Sequence, residues 1–286
     1  MSLPSRPVEA RIALVTGASR GIGKACALAL ADAGLDVAIA ARTVVEGEGR
    51  DDSVAGRDRS VPGSLETTAG LIQARGRRAL PVALDLGDRA SLEEATARIF
   101  DAWGRVDVLV NNAVHTGPGS MDRVEDLDLA TLEAKLWANA IAQVALIKLV
   151  LPGMLERGEG TIVDMTSEVA VSDPPAPTGE GGWGLAYAMS KGAFHRVAGI
   201  LAVELGPRGL RAFNVDPGFV LTERMTVNQQ ELGLEGRYRG APPTVPAEVV
   251  RWLATSPDAD ALNGQTVRAQ KLALELGLHP DWRTRS

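Results

Sequence analysis

The chain has 286 residues, 45% of them hydrophobic and only 4% aromatic, with a net charge of −6, so it can bury a large core and offers no basic face to nucleic acid or an anionic membrane surface. One cysteine, Cys26, and three histidines exclude a disulfide framework and leave no ligand set for a metal. No sustained apolar stretch precedes Arg11, and the apolar run 138–151 is interrupted by Gln143 and Lys148, so we expect neither a secretion signal nor a membrane span, and a cytoplasmic protein.

Residues 1–10 read as a loose tail, 11–275 as a single domain and 276–286 as a C-terminal tail. Short apolar runs at 12–16, 37–40, 79–84, 106–110, 161–165, 210–215 and 266–269 alternate with helical patterns, beginning with a helix over 22–33. Runs with consecutive apolar residues suit strands covered on both faces, and helices between them make right-handed crossovers. The expected fold is therefore α/β, a doubly wound parallel sheet of seven strands with helices on both faces. Two stretches break this rhythm. Residues 44–64 are polar and glycine-rich, and we read them as a mobile surface loop; the Pro/Gly-rich residues 172–184 we read as a lid or pocket wall.

The segment Thr16-Gly17-Ala18-Ser19-Arg20-Gly21-Ile22-Gly23 joins the first strand to the first helix. Glycines there permit a tight turn and close backbone approach, and the helix N-terminus offers unpaired N–H groups to a pyrophosphate. The second strand ends at Ala40-Ala41-Arg42, without the acid that would hold the 2′-hydroxyl of NAD. Arg42 and Arg20 instead supply two guanidiniums suited to a 2′-phosphate, so the expected cofactor is NADP(H) in preference to NAD(H).

Tyr187 and Lys191 fall one helical turn apart on one face. A free phenol ionises near pH 10 and needs about 4 kcal/mol to exchange its proton near neutrality. One unit charge about 4 Å away at an effective dielectric of about 20 supplies roughly that amount. A tyrosine beside a fixed ammonium is thus a candidate general acid.

Taken together, TGASRGIG, Asp85, Asn111-Asn112-Ala113, Asn139, Ser167, the Tyr187/Lys191 pair and Asn214-Val215-Asp216-Pro217-Gly218 occur in the order of the short-chain dehydrogenase/reductase family, which the chain resembles from about Arg11 to about Gln270. The resemblance implies a carbonyl/secondary-alcohol oxidoreductase with Tyr187 as general acid/base. Lys191 would lower its pKa and hold the nicotinamide ribose, Ser167 would polarise the carbonyl, and Asn139 would kink its helix and order a relay water. It further implies that Asp85 and Leu86 meet the adenine, that Asn112 and Ala113 line the adenosine side, and that Pro217, Gly218, Val220 and Thr222 meet the nicotinamide side. Val114 and Ala170 stand where the family often has glycine, and the separation of Ser167 from Tyr187 is longer than its norm.

His115 reads as a polar loop residue, His195 as a packing or interface residue, and Cys26 as a small buried hydrophobe. Phe219, Met225, Leu232, Leu234, Tyr238 and Trp183 are expected to give the substrate pocket an apolar wall suited to a hydrophobic ketone. The helices expected over 128–150 and 187–205 are apolar around much of their circumference, which with the resemblance implies a homo-dimer or homo-tetramer. Two alternatives stay open: a cofactor-binding sensor or scaffold without turnover, and an epimerase or dehydratase on the same fold.

Overall fold

In a computed structural model, residues 10–51, 59–115, 117–228 and 240–282 are described. The elements in chain order begin with β1 (Ile12–Thr16), α1 (Gly21–Asp32), β2 (Asp36–Ala41), β3 (Arg50–Asp51) and β4 (Arg59–Ser60). There follow α2 (Leu65–Gln73), β5 (Ala79–Ala83), α3 (Arg89–Trp103), β6 (Val108–Asn111), α4 (Leu129–Leu136) and α5 (Ala142–Arg157). The chain continues through β7 (Gly160–Met165), α6 (Leu185–His195), α7 (Val197–Leu205), β8 (Leu210–Asp216), α8 (Glu223–Asn228), α9 (Thr244–Thr255), β9 (Thr266–Arg268) and α10 (Ala269–Glu275).

Seven of these strands form one parallel sheet in the order β5-β2-β1-β6-β7-β8-β9, as the sequence pattern predicts. Alternate residues along each strand enter different layers. Ala13 and Val15 of β1 join a core with Cys26 and Leu30 of α1, Ile72 of α2 and Val249 and Leu253 of α9. Leu14 points the other way, into a core with Leu92 and Ile99 of α3 and Leu146 and Val150 of α5. Both faces being covered explains why these strands read as largely apolar runs. Strand order reverses between β1 and β6, and there the carboxyl ends of the strands open a crevice.

The helical run Leu129–Arg157 is long and apolar enough, by length and composition, to cross a membrane, yet half of its most apolar window is buried inside this fold. It is continuous but not uniform: a π-helical turn, Trp137–Ile141, separates α4 from α5 and contains Asn139, the residue expected to distort this helix.

Two expectations are corrected. The stretch 44–64 is not simply a surface loop, because its described parts form the antiparallel β3–β4 pair and fold back on the glycine turn. Glu46 fixes the return by accepting from the Gly63 N–H at 2.7 Å and the Thr67 hydroxyl at 2.9 Å. The segment 276–282, read as a tail, is docked: the Trp282 indole donates to Gln270 O at 3.1 Å, and His279, 9% exposed, bonds the Thr244 hydroxyl at 2.9 Å. Residues 1–9 lie outside the described residues.

Candidate active site

A cavity of about 540 Å³ occupies the crevice. Its floor is the turn between β1 and α1, where Gly17 and Gly21 have φ of 69° and 57°, a region costly for side chains. A Cβ at Gly23 would collide with Gly17 O and Asn112 Nδ2, so this third glycine lets α1 close on the end of β6. Thr16, fully buried, stitches the two strand ends together: its hydroxyl accepts from the N–H groups of Asn112 and Ala113, both at 3.0 Å.

The N-terminus of α1 faces the cavity, and its Gly21 N–H donates to Glu223 Oε2 at 2.8 Å. A carboxylate of the chain itself therefore occupies part of the seat that the helix dipole prepares for a phosphate. The donors present fit an anionic dinucleotide, which would have to displace that carboxylate. Glu223→Ala is expected to tighten NADPH binding by about three- to tenfold, roughly 0.7–1.4 kcal/mol, the size of a helix-terminus charge effect; fluorescence titration giving equal or weaker affinity would contradict this competition.

At the adenosine end, Arg42 lines the cavity at the tip of β2. Arg20 lines it too, but its Nε donates to Pro62 O at 2.9 Å and its Nη2 to Gly63 O at 2.7 Å, so much of the guanidinium holds the β3–β4 insert in place. That insert brings Glu48 and Arg50 into the wall, and Arg224 of α8, paired with the buried Asp51 at 3.6 Å, completes it. Asp85 and Leu86 also line the cavity. Asp85 accepts from Gly87 N–H at 2.8 Å, a local turn bond, whereas the N-cap of α3 is Asp88.

At the other end stand Tyr187 and Lys191 of α6, both in the cavity wall. Lys191 is 5% exposed and donates to Met165 O at 2.8 Å. Burial lowers its pKa to about 8, opposed by Asp164. The Ser167 hydroxyl accepts from Val169 N–H at 3.3 Å, and it acts on the Tyr187 phenol in the direction that favours ionisation. Here too the outcome differs from expectation. The phenol is not depressed by Lys191: burial pushes it above its ordinary value, Ser167 offsets this in part, and Asp216 adds to the rise. Asn139, 1% exposed, accepts from His115 N–H at 2.7 Å and donates to the Ser190 hydroxyl at 3.2 Å, which in turn donates to Tyr187 O at 2.9 Å.

Of the remaining expected residues, Ser19, Ile22, Asn112, Ala113, Pro217 and Thr222 line the cavity, while Gly23, Asn139, Ser167, Gly218 and Val220 are not part of its lining. Gly218 has φ of 66°, and Gln270 grips the carbonyls on either side of it, Pro217 O and Phe219 O, at 3.0 Å each. The apolar wall is not formed as expected: Phe219, Met225 and Trp183 are absent from the cavity lining, and Leu232, Leu234 and Tyr238 lie outside the described residues. The Pro/Gly loop is likewise not part of that lining; it is tied to residues 120–123 by Thr178 Oγ1 donating to Met121 O at 2.6 Å and by the Arg123–Glu180 ion pair at 3.2 Å.

His195 bonds Thr166 Oγ1 through Nδ1 at 3.0 Å and accepts at its backbone carbonyl from Asn214 at 2.7 Å, a packing role. Cys26 is fully buried and its thiol pKa is raised by burial, as an inert core residue requires. Among the described residues no cluster of histidine, cysteine and carboxylate side chains could hold a metal. The sequence reading missed Glu223, Gln270, Asp164 and Lys135. For Lys135 a signal existed: with Asn139 and Gln143 it forms a polar row at four-residue spacing in an otherwise apolar helix.

Residues 11–61 and 52–232 match the short chain dehydrogenase family, and the chain belongs to it. The class of activity is nicotinamide-dependent oxidoreduction. The chain is 31% identical over 277 residues to a short chain dehydrogenase of Pseudocercospora fijiensis, covering 92% of this chain and 81% of that one. It is 29% identical over 270 residues to the 3-oxoacyl-(acyl-carrier-protein) reductase FabG of Thermotoga maritima, covering 91% and 96%. The crystal structure of a short-chain type dehydrogenase/reductase from Mycobacterium marinum superposes with a TM-score of 0.74 at 25% identity, covering 90% and 93%.

Proposed function

We propose that the protein is an NADP(H)-preferring oxidoreductase that interconverts a small carbonyl compound and its secondary alcohol. The observation that carries this reading is the meeting, in one cavity, of a helix N-terminus suited to a dinucleotide phosphate with a tyrosine one turn from a buried lysine. The nicotinamide, when bound, supplies or takes up the hydride. In the reductive direction Tyr187 gives its proton to the carbonyl oxygen while Ser167 donates a hydrogen bond to the charge developing there. Lys191, fixed on Met165 O, is held one turn along the helix from Tyr187, where it would meet the nicotinamide ribose. Asn139 secures the π-turn beside Tyr187 and the backbone of His115.

The test is NADPH oxidation followed by absorbance over a panel of aliphatic, aromatic and cyclic ketones. Stoichiometric loss of NADPH with alcohol formed supports net redox. Binding without oxidation supports a sensor or scaffold, and product formation without net oxidation supports an epimerase or dehydratase.

Preference for the phosphorylated cofactor follows from Arg42 at the tip of β2, where the family's NAD-type acid is lacking. Arg42→Ala is expected to weaken NADPH binding by roughly 1.5–3 kcal/mol, the size of a charge-assisted hydrogen bond, and to leave NADH nearly unchanged. Equal loss for both cofactors, measured by fluorescence titration, would remove Arg42 from phosphate recognition. A homo-oligomer is part of the proposal, since Ile141, Met189, Ile200 and Val203 lie exposed on α6, α7 and the π-turn, a set of large apolar side chains suited to a second copy.

A further inference from the structure

Three polar side chains on one face of the Leu129–Arg157 helix fasten the segment that follows β6. Gln143 Nε2 donates to Ala113 O at 2.8 Å, Asn139 Oδ1 accepts from His115 N–H at 2.7 Å, and Lys135 Nζ donates to His115 O at 2.9 Å and to Gly117 O. All three are at most 1% exposed, Lys135 fully buried. Such placement is expensive for an ammonium unless it does something specific.

The same ammonium lies 3.4 Å from His115 Nδ1. A lysine ammonium has three hydrogens and no lone pair, so whatever faces it must accept, and an imidazole that accepts through Nδ1 carries its proton on Nε2. A positive charge at that distance also disfavours the imidazolium. The ring's position is prepared by Gly117, where a Cβ would stand 2.7 Å from His115 Cε1. His115 lines the same cavity as Tyr187 and Lys191.

We infer that Lys135 is a positioning residue that holds His115 in one neutral form, with Nε2–H as a hydrogen-bond donor to an oxygen acceptor of the molecule seated beside Tyr187. This deepens the proposed function, on which the identity of the seated molecule rests. A ligand that uses the donor carries a second oxygen, as carbonyl, hydroxyl or carboxylate, besides the one that exchanges a proton with Tyr187. Apolar packing alone would not select such a group.

The experiment reads the tautomer directly and needs neither cofactor nor turnover, so its failure is separate from a failure of the oxidoreductase reading. Long-range ¹H–¹⁵N spectra of the ¹⁵N-labelled full chain near neutral pH resolve imidazole nitrogens, and with three histidines in the chain the His115→Gln spectrum assigns the signal. The expected result is a His115 ring protonated at Nε2 and bare at Nδ1 in the wild type. In Lys135→Met, with circular dichroism showing the fold intact, the ring is expected to become a tautomer mixture or partly imidazolium. A wild-type ring protonated at Nδ1, a wild-type imidazolium, or an unchanged ring in folded Lys135→Met each overturns the inference. Should Lys135→Met not fold, Lys135→Arg decides: its guanidinium is also donor only, so the wild-type form is expected to persist, and a proton on Nδ1 there overturns the assignment.

Discussion

Tyr187→Phe is expected to lower turnover by about 10²- to 10⁴-fold, the range associated with a positioned acid/base group, while NADPH affinity changes by less than about threefold. The phenyl ring keeps the same place in the cavity wall and loses only the hydroxyl. Lys191 is directed at Met165 O and His195 at Thr166, so neither stands in for the phenol. A variant that retains turnover within about threefold, measured with any ketone found active, would take the acid/base role away from Tyr187. Because burial raises the phenol, its proton is held more tightly than that of an exposed tyrosine. Comparison of the phenol's titration with and without bound cofactor would show how much of the required depression arrives on binding.

The second large effect concerns stability. Asp164 of β7 is fully buried, flanked in register by Asn111 of β6 and Asn214 of β8. Asn111 Nδ2 donates to one of its oxygens at 2.9 Å, while Asp164 Oδ2, Asn111 Oδ1 and Asn214 Oδ1 are without a hydrogen-bond partner. Burial raises the carboxyl to about 7, with Asn111 and Lys191 opposing. A carboxyl whose folded pKa exceeds its unfolded value of about 3.9 keeps a proton in the folded state that the unfolded chain has already released. Stability contributed at this site is therefore present at low pH and is lost as pH rises from about 4 to about 7.

Asp164→Asn cannot ionise. It is expected to be more stable than the wild type by roughly 2–4 kcal/mol at pH 8 and nearly equal to it at pH 4, the upper value being the full conversion of that pKa difference. Denaturant melts at the two pH values check this; a variant less stable at pH 8 would mean that the carboxylate's attraction to Lys191 outweighs its burial. Activity is expected to move in the opposite direction. Asp164 opposes the burial that lowers Lys191 to about 8, so without it the lysine loses charge near neutrality and the phenol loses its cation. A residue that costs stability while holding a reaction group in its working state is what a stability–activity trade-off predicts.

Much of the framework was readable from local pattern. All seven strands of the main sheet were found as largely apolar runs, because strands covered on both faces carry few polar positions. Boundaries moved by a residue or two, as at 106–110 against Val108–Asn111, where Asp107 is instead engaged by the Ile12 N–H at 2.8 Å. The glycine turn, Arg42, Tyr187 and Lys191 stood out because each obeys a short-range rule of spacing or position, whereas Ser167 was assigned by the family resemblance. The insert over 44–64 did not, since nothing in its polar composition reveals that Arg20 would hold it by three backbone carbonyls some forty residues away. Glu223 was invisible for the same reason: its partner, Gly21, lies 202 positions earlier.

What the amino-acid order determined unaided is the alternation of strands and helices and the kinds of reactive group available, because periodicity and i, i+4 spacing act within a few residues. What only the folded chain decided is the state of each group: a phenol raised rather than lowered, a carboxyl and an ammonium drawn toward neutrality, a carboxylate seated on a helix end, a buried lysine facing a histidine. Ionisation and hydrogen bonding depend on burial and on partners brought from distant parts of the chain, and those distances exist only after the sheet has assembled.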